Sequence, residues 1–344
     1  MWGLIAALVL LTSNAAGATP GEYREHVGVY VWGRLRGGLE QAAADLKRVG
    51  ADRVTRVYIG PAKLWDPSRA ADDSPLDVKA RRADYRAFLA AFPVVMLTAY
   101  DSASFEQYKK GPLDAWHLAA TKDEFRRFAL ELAKTPGRKI ISNWEFENDC
   151  RTGQWAACRE YYQARLAGIR QGRQEARKLG YPGEILTAFE FTIVPGYAGK
   201  PSGLVEAGAK LEGVDFYSYS SWASIGWDFD APTMYKSFEW GAHILQEFAR
   251  KNRLPQRFIV GEFGEYWDQH ADGERLKALM DASVDHGFEY LFDWVLYDQP
   301  GNRDDHGRDA SHFGKFTLDG VLTPQGKAFQ SWFAAAGNRA RQGK

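Results

Sequence analysis

The sequence has no excess charge of either sign. Its 344 residues include 44 Lys plus Arg and 44 Asp plus Glu, so the chain is formally neutral. A protein without a net positive charge has no electrostatic attraction to nucleic acid or to an anionic membrane. We therefore expect neither of these as a partner.

Cysteine and histidine, which build most zinc sites, are scarce. There are two cysteines and seven histidines, and the histidines form no HxH or HExxH pattern. Neither cysteine has a histidine close to it in the sequence. Since such patterns mark zinc hydrolases, a metal-dependent hydrolase is not favoured, and we expect no metal or other cofactor.

A run of apolar residues stands at the start of the chain, from Leu4 to Leu11, and Ala16-Gly17-Ala18 follows it as a small-residue cleavage pattern. These features predict a signal peptide over residues 1–18, although no Lys or Arg precedes the apolar run. The run is too short to span a bilayer. We therefore expect a secreted or periplasmic protein without a membrane span, and a monomer.

The remainder of the sequence alternates strand patterns with helix patterns. Strands are predicted at His26–Gly33, Asp52–Gly60, Val94–Tyr100, Lys139–Glu145, Glu184–Phe191, Gly213–Tyr219, Arg257–Glu262 and Phe288–Leu296. Strict alternation predicts a parallel sheet, and eight units fit a closed α/β (β/α)8 TIM barrel. We expect one such domain over residues 19–344. An open doubly wound sheet is the alternative, but the glycines at Gly33, Gly37 and Gly38 do not have the GxGxxG spacing of its nucleotide-binding loop.

The seventh predicted strand runs from Arg257 into Glu262, with Gly261 and Gly264 beside the carboxylate. Buried parallel strands present functional residues where they end. Other predicted strand ends are also rich in aromatic, polar or charged residues: Trp32, Arg56 and Tyr58, Tyr100, Asn143 to Glu147, Glu190, Tyr217 and Tyr219, and Asp293 with Trp294. Any one of them could be a core residue, but together they predict a site at the barrel mouth.

The fourth predicted strand offers the partner for Glu262. If the chain stayed extended, Asn143, Glu145 and Glu147 would share one face, because side chains alternate along a strand. Two carboxyl groups about 5–5.5 Å apart perform retaining glycoside hydrolysis, one as nucleophile and one as acid/base. The acid must keep its proton near neutral pH, and apolar neighbours such as Trp144 and Phe146 would raise its pKa.

Cys150 and Cys158 follow this acidic segment. An even number of cysteines at short separation in an exported chain predicts a disulfide, with two unpaired thiols as the alternative. The bond would brace the segment that carries the candidate acids.

Taken together, these motifs resemble the clan A glycoside hydrolases. The resemblance rests on the acidic strand four, on Gly261-Glu262-Phe263-Gly264, on aromatic and basic residues at other strand ends, and on the final loop from Leu318 to Gly326. It implies that Glu262 is the nucleophile, that Tyr219 orients it, that Arg56 supports it as a cation and that Trp294 forms a floor for the sugar.

Strand four departs from the pattern of that clan, in which Asn directly precedes the acid/base Glu. Here Trp144 separates Asn143 from Glu145. We predict Glu145 as the acid/base, with Glu147 as the second candidate and Asp149 as the third.

Tryptophans in the predicted loops suggest platforms for sugar rings, since the C–H faces of sugars stack on aromatic rings. Trp222 and Trp267 closely follow strands six and seven, and Trp155 and Trp227 lie in other loops. With Trp32, Tyr58, Asn143 and Trp294 they predict an oligo- or polysaccharide substrate. The polar stretch from Tyr297 to His312 could be a substrate-contacting loop, a calcium site or a solvated loop. Its spacing fits no EF-hand pattern, which favours the solvated loop. A non-catalytic carbohydrate-binding barrel is the alternative function; it would keep the aromatic residues but would need neither carboxylate.

Overall fold

A computed structural model of the chain describes residues 20–61, 72–104, 107–150, 152–226, 228–301 and 310–342. The predicted signal peptide over residues 1–18, Trp227 and residues 302–309 of the polar loop lie outside the described residues.

Eight parallel strands close into a barrel in sequence order, each paired with the strands before and after it. The strands are β1 Val27–Val31, β2 Val54–Ile59, β3 Val94–Ala99, β4 Gly137–Ser142, β5 Gly183–Phe191, β6 Phe216–Ser220, β7 Phe258–Phe263 and β8 Tyr290–Asp293. The predicted TIM barrel is confirmed.

One helix precedes the first strand, and the others lie between the strands or follow the last one. They are α1 Pro20–His26, α2 Gly38–Arg48, α3 Leu76–Arg81, α4 Ala83–Ala90, α5 Ala115–Leu132, α6 Phe146–Asp149, α7 Trp155–Lys178, α8 Gly203–Glu206, α9 Ala231–Lys251, α10 Glu274–Asp285 and α11 Pro324–Gln342. Among the described residues, no helix combines the length and the apolar character that a membrane span needs.

Two apolar layers hold the barrel together. Apolar side chains such as Met96, Ile140 and Ile259 fill the inside of the sheet, and a larger cluster packs between the sheet and the helices. Alternate residues of each strand enter one layer or the other. This alternation decides which side chains at the strand ends face the mouth of the barrel.

Strand β4 ends earlier than predicted. It ends at Ser142, three residues before Glu145, and the chain then turns into the short helix α6. Asn143, Glu145 and Glu147 therefore do not share one strand face, and the expectation that they would is wrong.

Candidate active site

Glu262 reaches the barrel mouth because β7 contains a bulge. The register of β6 against β7 shifts so that Tyr219 pairs with Val260 and Ser220 pairs with Glu262, leaving Gly261 between them. Ile259 points inside the barrel, so strict alternation would turn Glu262 outward. An extra residue in a strand reverses this parity and re-aims the side chain that follows. Glu262 is consequently directed inward, where it is almost fully buried.

Three groups contact the carboxylate of Glu262. The indole Nε1 of Trp222 donates to Oε2 at 3.4 Å, and Nη1 of Arg56 lies 3.7 Å from Oε1. The Trp144 side chain also hydrogen-bonds to this carboxylate. The buried Oε1 atom accepts no hydrogen bond from any described residue. These three groups hold the carboxylate of Glu262 at the mouth of the barrel.

Arg56 lies beneath Glu262, is fully buried, and binds the neighbouring strands. Its guanidinium donates to Thr98 at 2.8 Å and to the Gly261 carbonyl at 2.6 Å, and it pairs with Glu190 at 3.0 Å. Its charge also lies over the Tyr30 ring, 4.3 Å from the centroid. The guanidinium fixes the bulged segment of β7 from below, consistent with its predicted supporting role.

A third buried glutamate, Glu190 on β5, lies close to the same guanidinium. It accepts from Arg56 and, at 3.0 Å, from the Ser218 hydroxyl. A side chain at Gly261 would collide with its carboxylate, so glycine is required before Glu262. Burial raises the pKa of Glu190 to about 8, against the opposing effect of Arg56. Because its carboxylate is fully enclosed, Glu190 has no surface for a sugar to contact.

Glu145 lies in the turn after β4 and accepts two side-chain hydrogen bonds. The donors are the Ser220 hydroxyl on β6 and the Asn148 amide in α6. Ser220 is also the residue whose backbone pairs with Glu262 on the next strand, and neighbouring strands lie about 4.8 Å apart. Glu145 and Glu262 therefore lie at the same end of the barrel.

Glu147, the second candidate acid, has different partners. Its carboxylate accepts backbone N–H bonds from Thr192 at 2.9 Å, Ile193 at 3.3 Å and Gly203 at 2.7 Å. These residues form the loop after β5 and the start of α8. The carboxylate thus anchors a neighbouring loop.

Asp149, the third candidate, is also engaged. It accepts from the hydroxyls of Tyr100 and Tyr162, and Lys109 lies 3.3 Å away. These contacts fix the end of α6 against the barrel wall.

Burial and charge give the two mouth carboxylates different proton affinities. The pKa of Glu145 is raised well above its usual value, first by burial and then by the negative charge of Glu262. Burial also raises the pKa of Glu262, but Arg56, Trp222 and Trp144 oppose that rise. Titratable pairs whose surroundings push their pKa values apart are typical of acid and nucleophile roles.

Aromatic side chains form a wall beside Glu262. Trp32, Tyr30, Tyr266, Val295 and Phe313 make one cluster, with Tyr58, Trp222 and Trp294 packed against it. The Trp294 ring lies 5.5 Å from Trp32, 6.1 Å from Trp222 and 5.0 Å from Phe313. The structure therefore brings four predicted binding residues together: Trp32, Tyr58, Trp222 and Trp294.

Trp267, another predicted platform, lies in the loop after β7. Its indole donates to Asp298 at 3.2 Å, and its ring faces His312 at 4.8 Å. These contacts join two loops at the rim and leave the ring half-buried.

Tyr219 does not orient Glu262, and that expectation is wrong. Its hydroxyl bonds to Ser224 at 2.8 Å, and its ring packs on Phe191 and Phe238 between the sheet and the helices. Along β6, Phe216 faces the barrel interior, and Ser218 and Ser220 share its parity. Tyr217 and Tyr219 consequently face outward.

Asn143 does not take the predicted substrate-binding position. Its amide oxygen accepts from the Glu190 backbone N–H at 3.0 Å, and its amide nitrogen donates to the Glu190 carbonyl at 2.9 Å. The side chain thereby extends the pairing of β4 with β5 beyond the end of β4.

The predicted disulfide between Cys150 and Cys158 is present, with Cα atoms 6.3 Å apart. It links the end of α6 to α7. Trp155 lies in the loop that it closes, packs against Phe146 and donates to the Cys150 carbonyl at 2.8 Å. Trp155 is therefore part of this brace.

Ser220 and Asn148 were not predicted as contacts of the carboxylates, and Trp144, expected as an apolar neighbour of the acid, hydrogen-bonds instead to Glu262. A signal was present for Ser220, because Phe216, Ser218 and Ser220 alternate with two tyrosines. Choosing the apolar residue as the inward one would have directed the serines to the mouth.

No protein-family model matches the chain, and no curated protein matches its sequence. Solved structures do match. A GH5_18 from Bifidobacterium longum subsp. infantis has a TM-score of 0.61 at 14% identity, covering 89% of this chain and 78% of its own. A point variant of GH5_18 from Streptomyces cattleya, in complex with Manb1-4GlcNAc, has a TM-score of 0.59 at 17% identity, covering 90% and 80%.

The exo-beta-1,4-mannosidase Op5Man5 from Opitutaceae bacterium strain TAV5 has a TM-score of 0.55 at 15% identity. The match covers 94% of this chain and 62% of the mannosidase chain. At these identities the similarity establishes the fold, and the predicted resemblance to clan A barrels is confirmed at that level.

Proposed function

We propose that the protein is a secreted glycoside hydrolase that cleaves an oligo- or polysaccharide with retention of configuration. One observation carries the proposal: two buried carboxylates, Glu262 from β7 and Glu145 from the turn after β4, lie at one barrel mouth, close enough that the charge of Glu262 raises the pKa of Glu145. Retaining hydrolysis needs two such carboxyl groups on either side of a glycosidic bond.

In this mechanism Glu262 is the nucleophile. Its carboxylate attacks the anomeric carbon and forms a glycosyl ester, while Trp222 and Arg56 hold it in place. Burial raises the pKa of Glu262, and Arg56 and the two indoles oppose that rise, which favours the ionised form that attack requires.

Glu145 is the acid/base. Its raised pKa keeps the carboxyl protonated, so that it can give its proton to the departing oxygen. The carboxylate that remains then takes a proton from water in the second step. Glu145 is the candidate on which the negative charge of Glu262 acts to raise the pKa. Glu147 is less suited to this role, because its backbone N–H bonds oppose the effect of burial on its pKa, and Asp149 is held at the end of α6 by two tyrosine hydroxyls and Lys109.

The aromatic wall formed by Trp32, Trp222 and Trp294 supports a sugar subsite next to Glu262. One structural neighbour, the GH5_18 variant from Streptomyces cattleya, is in complex with Manb1-4GlcNAc, and another is named as an exo-beta-1,4-mannosidase. We therefore put β-mannosides, including Manb1-4GlcNAc, first in a substrate panel.

Export is part of the proposal. It is supported by the apolar N-terminal run in the sequence and by the Cys150–Cys158 disulfide, since disulfides persist in oxidising compartments.

Turnover is tested first with a panel of aryl glycosides and β-linked disaccharides. The best glycoside is then offered as its 2-deoxy-2-fluoro analogue with an activated leaving group, which slows hydrolysis of the glycosyl ester. Mass spectrometry should find one sugar per chain, on the peptide that contains Glu262, and none on Glu262→Gln. Binding of glycans without turnover of any of them would favour the non-catalytic barrel instead, and an inverted product would refute retention.

A further inference from the structure

Away from the mouth, three side chains with metal-binding atoms meet between α9 and α10. They are Glu239 and His243 on α9 and His286, which directly follows α10. One ligand atom from each lies within 4.8 Å of the other two. Glu239 and His243 are four residues apart, so they lie on the same helix face.

We propose that Glu239, His243 and His286 form a zinc site that clamps α9 to α10. Zn²⁺ binds imidazole nitrogen and carboxylate oxygen at about 2.0–2.2 Å in tetrahedral geometry, which puts neighbouring ligand atoms about 3.3 Å apart. The Glu239 Oε1 and His286 Nε2 atoms are 3.5 Å apart, close to that spacing. The rings of His243 and His286 stand nearly perpendicular, 4.9 Å apart.

A weakly paired nitrogen supports this assignment. The Nε2 atom of His286 is buried, and its contact with Glu239 Oε1, at 3.5 Å, is an ion-pair distance without good hydrogen-bond geometry. Buried polar atoms are nearly always well paired. A bound cation would give this nitrogen a closer partner.

The surroundings hold the ring in place and leave a path for the ion. Gln246 on α9 donates to the His286 carbonyl at 2.7 Å, which ties the end of α10 to α9 beside the cluster. His243 and His286 also line an open surface groove, together with Glu247 and Arg250. Water in that groove would complete a four-coordinate ion.

The donor set selects the metal. Two imidazoles and one carboxylate suit zinc and, among other ions, ferrous iron; the Irving–Williams order places Zn²⁺ above Fe²⁺ at such a site. Mg²⁺ and Ca²⁺ prefer oxygen ligands alone. The HxH and HExxH patterns do not detect this cluster, because His286 comes from a different helix.

The zinc site is independent of the proposed hydrolysis. The groove also reaches Phe258, the first residue of β7, whereas Glu262 lies four residues further on, about 13 Å along the strand. Zinc should therefore affect stability more than turnover.

Isothermal titration of the untagged, chelator-treated protein with ZnCl₂ tests the proposal. We expect one equivalent of Zn²⁺ per chain. At 100 times the dissociation constant, Zn²⁺ should raise the Tm by about 5 °C. Mg²⁺ at the same concentration should leave the Tm unchanged. Co²⁺ should give the intense visible absorption of a four-coordinate ion.

Three variants locate the site. His243→Ala, His286→Ala and Glu239→Gln should each weaken Zn²⁺ binding more than about 100-fold. This exceeds the loss typical of replacing a residue that only hydrogen-bonds to a metal ligand. His243 is exposed, so its replacement should leave folding intact even if His286→Ala does not. His117→Ala is the matched control. His117 lies on α5, not on α9 or α10, and its ring also contacts a carboxylate, that of Asp114 at 2.8 Å. Absence of stoichiometric binding, or binding that survives all three substitutions, would overturn the assignment.

Discussion

The two segments that supply the mouth carboxylates depart from regular strand geometry in different ways. β7 remains a strand through Phe263 and uses a bulge at Gly261 to turn Glu262 inward. β4 stops at Ser142, and Glu145 follows in a turn before α6. One acid is therefore aimed by the backbone pairing of the barrel, and the other by side-chain hydrogen bonds.

Because of this difference, Glu262 and Glu145 should be sensitive to substitutions at different neighbouring residues. Glu262 depends on Gly261 and on the Arg56 guanidinium below it. Glu145 depends on Ser220 and Asn148. A local change near β4 should therefore affect Glu145 without displacing Glu262.

The largest effect is expected for Glu262→Gln. An amide cannot form the glycosyl ester, so kcat/KM should fall about 10⁴-fold or more for every substrate, whatever its leaving group. The measurement is hydrolysis of a series of aryl glycosides, with circular dichroism as the check on folding. A loss of less than tenfold would assign attack to another group.

Glu145→Gln should lower kcat/KM by about 10²–10⁴-fold, but only for leaving groups that need a proton. An aryl glycoside with an acidic phenol should still glycosylate Glu262, and azide should then restore the second step, since it needs no general base. Glu147→Gln, measured in parallel, should show no azide rescue. Rescue of Glu147→Gln in place of Glu145→Gln would reverse our assignment of the acid.

The pH profile tests the same difference without disturbing the turn. Glu145 must be protonated to act as the acid, and its raised pKa keeps it protonated toward neutral pH. As pH rises through that pKa, kcat/KM should fall about tenfold per unit. The fall should vanish in Glu145→Gln, measured with an activated substrate. A basic limb unchanged in that variant would come from another group.

The smallest effect on turnover is expected for Glu147→Gln, which should lose stability instead. Its carboxylate accepts three backbone N–H bonds, and an amide replaces a charged acceptor by a neutral one. We expect the free energy of unfolding to fall by about 2 kcal/mol, measured by urea denaturation. An unchanged free energy of unfolding would mean that the loop after β5 does not need this anchor.

The sequence was sufficient for the barrel and for the β7 side of the site. Alternating strands and helices, with Glu262 at a glycine-flanked strand end, depend on local patterns that the fold retains. Arg56, Trp222 and Trp294 were found for the same reason, since each lies at or just beyond a strand end.

The β4 side was harder to predict, because its geometry depends on contacts distant in sequence. Strand alternation assigned Asn143, Glu145 and Glu147 to one face, yet their partners are Glu190, Ser220 and the backbone near Gly203. The error at Tyr219 also concerns the face of a strand. Neighbouring residues of a strand point to opposite faces, so an assignment that is wrong by one residue exchanges the two faces. Tyr219 therefore faces the helices, and Ser220 faces the barrel interior.

The disulfide affects how the protein should be prepared. Cys150 and Cys158 join α6 to α7 directly behind the acid-bearing turn, while β7 has no covalent link of this kind. A reducing bacterial cytoplasm keeps such thiols apart. We expect protein produced there to keep the barrel and the position of Glu262, but to have a loosened segment around Glu145. If such protein failed to hydrolyse any substrate, the missing disulfide could be the cause. The substrate screen should therefore use protein made in an oxidising compartment.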